Sequence, residues 1–274
     1  MSKIVLIDDE VQSTDALATM LRLLGHEVAT AVDARSGEIE TRRMAPNLLI
    51  TDMMLPGMSG LEFIAGFAQE TPPVYSCLLT GMADYHLLKR AVEAGAWTLM
   101  SKPFALPDLL ALIQTADFFT RLMKRQSHQP VSSAELRITS GQDVTLEHTI
   151  GTVSDFARSV GADEDTSMRR LPIVVMELLQ NTEQHAAGEW VLSCRDDDGG
   201  VDVVVDSTTT GFDWRRELSR CHTNWTQSRA SGLQLISAMA DEFHYESEGR
   251  TACVVLSKAS AVQQRTALKV MTAN

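Results

Sequence analysis

The chain has 274 residues, a length that suits about two domains of ordinary size, and 44% of them are hydrophobic, enough for packed cores and too many for a disordered chain. Its 36 acidic residues against 24 basic ones leave a net charge of −12, a surface that repels nucleic-acid phosphates and argues against DNA as a partner. The densest basic run, RLMKRQ (121–126), reads as a linker, and no stretch is apolar and long enough to span a bilayer, so the expectation is a cytoplasmic protein with no membrane partner.

From residue 3 the pattern alternates short apolar runs with amphipathic stretches. KIVLI (3–7), EVATA (27–31), NLLIT (47–51), VYSCLL (74–79) and WTLMS (97–101) predict buried strands, with helical-period segments between them. In QSTDALATMLRLLG (12–25) the apolar residues recur at three- and four-residue spacing, and Gly25 is placed to close that helix. Repeated βα units of this length predict a doubly wound parallel sheet, with its chemistry at the carboxyl ends of the strands.

Those strand ends carry Asp8 and Asp9, Asp52, Thr80 and Lys102. Three gathered carboxylates repel one another unless a cation offsets them, and Mg²⁺ is the hard, oxygen-seeking ion that fits. The same ion would neutralise a phosphoryl group arriving at one carboxylate, while Lys102 and Thr80 offer an ammonium and a hydroxyl to its oxygens.

LIDDE, ITDMMLPGMSG, LLTG and EAGAWTLMSKPF, in that order on those strands, resemble CheY-like receiver domains of two-component systems over roughly the first 120 residues. The resemblance implies a flavodoxin-like, five-stranded fold. It implies a response regulator in a phosphorelay whose Asp52 accepts a phosphoryl group from a cognate histidine kinase. It also implies Mg²⁺ held by Asp8, Asp9 and Asp52, phosphate sensing by Thr80 and Lys102, and a cis peptide at Lys102-Pro103. One position departs: Leu99 stands where receivers usually carry an aromatic residue, so another exit route for the signal is expected.

The helical pattern runs out into QSHQPVSSAE, which marks a boundary; the expected division is a receiver at 1–122, a linker at 123–133, an output domain at 134–260 and a tail at 261–274. In the output domain AELRITS (134–140), WVLSCRD (190–196), VDVVVDS (201–207) and TACVVLSK (251–258) predict strands. LEHTIGTVSDFARSVGA (146–162), MRRLPIVVMELLQNTEQHA (168–186) and SGLQLISAMADEF (231–243) predict helices, giving an α+β two-layer sandwich. Glu177, Asn181 and His185 are spaced along one polar ridge of the middle helix, which a merely solvated face does not require of Asn and His.

This order resembles the ATP-binding domain shared by histidine kinases, gyrase-type ATPases and, most of all, anti-sigma-factor serine kinases. MELLQNTEQHA is similar to the helix that carries their asparagine, TTGFD to their first glycine box and SGLQLISAMADEF to their second. The resemblance implies that Asn181 coordinates Mg²⁺ on ATP, that Glu177 is the base or orienting group, and that Asp206 contacts adenine. It places His185, Gly211 and Gly232 at the nucleotide as well. Both boxes are degenerate: Thr209 replaces a glycine, Asp206 lies one residue further from Gly211 than the pattern asks unless Ser207 takes its place, and Ala230-Ser231-Gly232 stands for Gly-x-Gly. A Cβ obstructs both positive φ and close approach to phosphate.

Two functions follow as expectations. In one, phosphorylated Asp52 controls a serine/threonine kinase that uses Mg-ATP on an anti-sigma antagonist of the STAS type. In the other, the output domain binds a sigma factor, an antagonist or another regulator without turning over ATP. A homodimer is implied by resemblance only. Cys77, Cys194, Cys221 and Cys253 are isolated in sequence and suggest neither a zinc site nor a disulfide framework.

Overall fold

The computed structural model describes residues 1–68, 74–124, 135–141, 144–185, 189–197, 199–207, 216–217, 219–220, 225, 228–246 and 250–259. The chain divides into two compact units, residues 1–125 with 225–230, and residues 126–224 with 231–274.

In the first unit the strands are β1 (Lys3–Ile7), β2 (Glu27–Ala31), β3 (Leu48–Asp52), a two-residue hairpin β4 (Met54–Leu55) and β5 (Met58–Ser59), then β6 (Tyr75–Thr80) and β7 (Thr98–Ser101). The helices are α1 (Val11–Leu23), α2 (Ala34–Met44), α3 (Gly60–Phe67), α4 (Tyr85–Glu93) and α5 (Leu106–Lys124). The five long strands form one parallel sheet in the order β2-β1-β3-β6-β7. Strands β1 and β3 lie side by side while the chain winds away from them in opposite senses, so the carboxyl ends of this pair open a crevice. Every residue of β3 and β6 is buried, as expected of strands covered on both faces.

Helix starts are fixed by side chains written in the sequence. Asp33 accepts from the Ser36 amide at 2.7 Å and Asp84 from the Leu87 amide at 2.7 Å, while Ser59 and Glu62 form a reciprocal capping box. Gly25, at φ 89°, follows the last turn of α1 as the sequence predicts. Tyr75, Trp97 and Phe119 pack ring to ring at 4.7–5.9 Å and fasten α5 to the sheet. Residues of the 225–230 stretch add to the edge of β7: Arg229 bridges to Met100, the Ser101 amide donates to the Ser228 carbonyl at 2.6 Å, and the Ala230 amide donates to the Leu99 carbonyl at 3.3 Å.

The second unit is a five-stranded sheet, β11-β12-β10-β9-β8, in which every pairing is antiparallel. Its strands are β8 (Glu135–Thr139), β9 (Trp190–Asp197), β10 (Gly200–Ser207), β11 (Glu242–Glu246) and β12 (Thr251–Ser257). The helices are α6 (Leu146–Ser159), α7 (Leu171–His185) and α8 (Gly232–Met239), with a π-helical turn at Thr166–Arg170 running into α7. Alternation sorts the sheet cleanly. Leu192, Cys194, Val201, Val203, Val205, Ala252, Val254 and Leu256 are buried, while Asp202 and Val204 are half-buried and Asp206 is exposed on the opposite face.

Two elements differ from the expectation. The helix predicted over 231–243 ends at Met239, because Ala240 turns extended (ψ 149°) and Glu242–Glu246 pairs with β12 as an edge strand. A run of five residues alternating exposed and half-buried was too short to separate from the helix tail. Pro172 is the second residue of α7, directly after the π turn. In a regular helix its ring would press on the carbonyl of Met168, and a widened turn relieves that clash.

Arg170, buried in this turn, donates to the Met239 carbonyl at 2.5 and 2.8 Å and pairs with Asp241 at 2.9 Å, so one guanidinium caps the end of α8 from the start of α7. Arg170→Ala leaves that carbonyl buried without its donor and weakens the α7–α8 region by ~1–3 kcal/mol, read as faster amide exchange in these two helices of the full chain. Burial works against the Asp241 carboxylate, but the Ser257 amide and Arg170 outweigh it and hold the carboxyl below its ordinary value of 3.8. A depressed carboxyl stabilises the fold above its unfolded pKa, and that contribution goes as the pH falls through the depressed value. Asp241→Asn therefore lowers protection at neutral pH and flattens its further loss below about pH 3.8.

Candidate functional site

The first site lies at the carboxyl ends of β1, β3, β6 and β7. Asp8 and Asp52 are both buried there, and the ammonium of Lys102 reaches between them, 2.6 Å from Asp8 Oδ2 and 2.5 Å from Asp52 Oδ1. Burial alone would push the Lys102 ammonium down, but its hydrogen bonds to Asp52 and Asp8 hold it above the ordinary lysine value. The remaining oxygens are fixed by backbone: Asp52 Oδ2 accepts from the Met54 amide at 2.6 Å and Asp8 Oδ1 from the Glu10 amide at 3.0 Å. Asp9 is exposed beside them. Thr80 is buried, its hydroxyl accepts from the Met82 amide at 3.1 Å, and its carbonyl accepts from the Lys102 amide at 2.7 Å. Lys102-Pro103 is cis. Leu99 is fully buried in β7.

One ammonium supplies a single positive charge for two buried carboxylates, with a third at the rim. The donors that remain are all carboxylate or carbonyl oxygen, the set that suits Mg²⁺. Asp8, Asp9 and Asp52 would hold it, and a divalent cation there would offset the charge of a phosphoryl group. Gly60, at the first turn of α3, is part of this construction. A Cβ there would run into the Asp52 carbonyl, and the Gly60 amide already donates to the Met53 carbonyl at 2.9 Å.

The second cluster joins α7 to the start of α8. A Cβ at Gly232 would collide with the Glu177 carboxylate and lie 3.5 Å from Asn181 Nδ2, so Glu177, Asn181 and Gly232 meet at one point although the sequence separates them widely. Asn181 Nδ2 is buried without a hydrogen-bond partner among the described residues.

Asp206 is not brought to this cluster. Strand alternation turns it to the face away from the helices, where its Oδ1 accepts from Thr251 Oγ1 at 2.5 Å; Ser207 is the residue whose parity matches buried Val205. Asp206 thus stands one residue out of phase with the face that packs on the helices, since a one-residue shift in a strand reverses the face. Gly211 lies outside the described residues, as does Thr209, and α7 includes His185 at its last position. One further feature is legible in the sequence as a short pattern. Ser-x-x-Gln at 231–234 forms a full capping box on α8, with Ser231 N donating to Gln234 Oε1 at 2.8 Å. Arg229 belongs to the edge of β7.

The residue pattern and this geometry meet the family comparison. Residues 4–114 match the family model described as the response regulator receiver domain. These residues form a response regulator receiver domain. Receiver domains take a phosphoryl group from a histidine kinase with the help of Mg²⁺.

Among similar proteins is the phosphate regulon transcriptional regulatory protein PhoB of Rhizobium meliloti, 32% identical over 139 residues, which are 50% of this chain and 58% of that protein. Another is the C4-dicarboxylate transport transcriptional regulatory protein DctD of Pseudomonas aeruginosa, 30% identical over 122 residues, 44% of this chain and 26% of that one. The chain thus spans about a quarter of one relative and under two thirds of the other. A solved receiver domain protein from Clostridium thermocellum is 29% identical and covers 45% of this chain and 99% of its own, with a TM-score of 0.43. No helix of the described residues is long and apolar enough to cross a membrane.

Gly60→Ala drives a methyl group into the Asp52 carbonyl and is expected to slow phosphoryl uptake at least several-fold while destabilising the receiver by ~1–3 kcal/mol. Gly66→Ala, where nothing lies within 4 Å, is the matched control and keeps both uptake and stability. Acetyl phosphate labelling followed by phosphate-affinity electrophoresis reads the first quantity and urea unfolding the second.

Proposed function

We propose that the chain is a cytoplasmic response regulator in which Asp52 accepts the phosphoryl group and the second unit is the output. Asp8, Asp9 and Asp52 hold Mg²⁺, and Lys102 and Thr80 bind the phosphoryl oxygens. Support for these roles is the shared ammonium, which already presents Lys102 to Asp52 at hydrogen-bond distance. On phosphorylation the single charge of the Asp52 carboxylate is replaced by the roughly −1.5 to −2 of a phosphoryl group, and Lys102 follows that charge. The Ser101 amide, one residue before Lys102, donates to the Ser228 carbonyl, so this pull acts on the strip at residues 225–230. That strip is a route for the signal that does not need an aromatic residue at Leu99.

We read the output unit as a relative of the anti-sigma-factor serine kinases within the histidine-kinase-type ATPase class. The observation that carries this reading is the meeting of Glu177, Asn181 and Gly232, the acidic residue, the asparagine and the glycine that such a site needs together. In the catalytic version Asn181 coordinates Mg-ATP, Glu177 activates or orients a serine or threonine hydroxyl on an anti-sigma antagonist of the STAS type, and phosphoryl transfer follows.

A second reading rests on two specific observations. The capping box of α8 already engages amide groups that a phosphate would otherwise receive, and Asp206 faces away from the helices. Both favour an output unit that binds a sigma factor, an antagonist or another regulator without turning over ATP, so that the receiver controls access to a surface. The net charge of −12 is in keeping with a protein partner rather than DNA in either version.

Acetyl phosphate with Mg²⁺ should place one phosphoryl group on the chain and none on Asp52→Asn. Labelling that survives in Asp52→Asn would overturn the assignment of the acceptor. For the output unit, calorimetric titration of Mg-ATP into the full chain separates the two versions. Micromolar binding abolished by Asn181→Ala supports the kinase, whereas the absence of heat up to millimolar ATP removes the catalytic version and leaves the binding one.

A further inference from the structure

The face of the second sheet that turns away from α6, α7 and α8 carries an unexpected set of donors. His244 on β11 stands directly opposite Cys253 on β12, and Glu246 lies two residues further along β11 on the same face. Opposed side chains in an antiparallel pair begin about 4.5–5.5 Å apart at Cβ, close enough to share one small ion. One ligand atom from each of His244, Glu246 and Cys253 lies within 4.8 Å of the others, and His244 Nε2 is 3.2 Å from Glu246 Oε1.

The surroundings are anionic. Asp206 and Asp202, on the neighbouring strand β10 and on the same face, act electrostatically on the Cys253 thiol together with Glu246. One carboxylate oxygen of Asp202 is buried without a hydrogen-bond partner among the described residues. Glu242 completes the row on β11 and acts on Asp202, which Arg195 partly offsets. Such a field concentrates cations, and the donor set selects among them. Imidazole, thiolate and carboxylate together are poor ligands for Mg²⁺ or Ca²⁺ and good ones for a borderline divalent ion.

We propose that His244, Glu246 and Cys253 form a three-ligand site for Zn²⁺, with a fourth position left open to water. The ligands come from two adjacent strands of one hairpin, so the ion would pin β11, the edge strand of the sheet, to β12. An edge strand only five residues long gains most from such a staple. The site is separate from Glu177, Asn181 and Gly232, and it stands or falls without the nucleotide reading. Sequence spacing gave no hint of it, because the cysteine is alone and its histidine and glutamate partners are reached through strand register.

The test uses the full chain, reduced with a phosphine that does not bind zinc, and titrated with Co²⁺ as a coloured stand-in. The expected result is saturation at one ion per chain, with a thiolate-to-metal charge-transfer band and the intense visible bands of a four-coordinate site, all discharged by Zn²⁺. In Cys253→Ser the charge-transfer band vanishes, in His244→Ala the affinity falls by about tenfold or more, and Cys221→Ser binds as the parent does. Added Zn²⁺ should also raise the melting temperature of the parent chain but not of Cys253→Ser, by mass action on the folded state. The three ligands lie on the sheet face away from the buried core, and circular dichroism checks that each variant is folded. Absence of a charge-transfer band, a band that persists in Cys253→Ser, or binding without saturation at one equivalent would each overturn the proposal.

Discussion

The ammonium of Lys102, shared between Asp8 and Asp52, is the constraint on which the first unit depends. Two buried carboxylates side by side at the ends of adjacent strands are unfavourable unless a cation stands with them. The fold supplies one from a third strand, carried on the residue just after β7. This ties together elements more than ninety residues apart in the chain and sets the register of β1, β3 and β7 at one end of the sheet. It also leaves the site short of positive charge, a balance that suits Mg²⁺ and, with it, a phosphoryl group. The same interaction that holds the strands together is therefore the one that a change of charge on Asp52 must disturb.

In the second unit the corresponding constraint is steric. The α7 helix can bring Glu177 and Asn181 against α8 only because residue 232 has no side chain, and Arg170 holds the other end of α8 by its last carbonyl. One glycine and one arginine thus fix both ends of the same short helix against the same partner. The unpartnered amide of Asn181 at that junction is the kind of buried polar group that asks for a ligand, a water or a partner side chain.

Much of this was legible in the residues. Buried strands with apolar runs, Gly25 at the end of the first helix, and the ordered acidic, threonine and lysine positions announce the first sheet, to within a residue or two at strand ends. Lys102 could be placed near Asp52 from the pattern, but its reach to Asp8 as well is a matter of side-chain geometry. The second unit was legible in its helices and central strands. What spacing leaves open there has one cause, which is parity along a strand. Distance along the chain from Gly211 leaves Asp206 and Ser207 as alternatives, whereas facing is decided by whether a residue is odd or even from Val205. Strand β11 was merged into a helix tail because five alternating residues carry too little periodicity to compete with the helix before them. The His244–Cys253 pairing was invisible for a related reason: cross-strand neighbours are set by register and not by spacing.

Parity also bears on what the degenerate glycine boxes mean. If a residue had been inserted after Asp206, the strand would have to bulge or slip to keep that carboxylate facing the helices. Strand β10 does neither: it pairs without interruption with β9 through Ser207 and with β12 through Asp206. The position facing the helices is therefore occupied by Ser207, a hydroxyl that can hydrogen-bond but brings no charge. At the other side of the cluster, Ser231 turns the start of α8 into a capped helix end rather than an open row of amide donors. Both replacements point the same way. On the reading proposed above, both would weaken the hold of the site on adenine and on phosphate. Glu177 and Asn181 remain as polar groups packed closely against Gly232. On that reading, recognition of a partner need not depend on how much nucleotide binding survives.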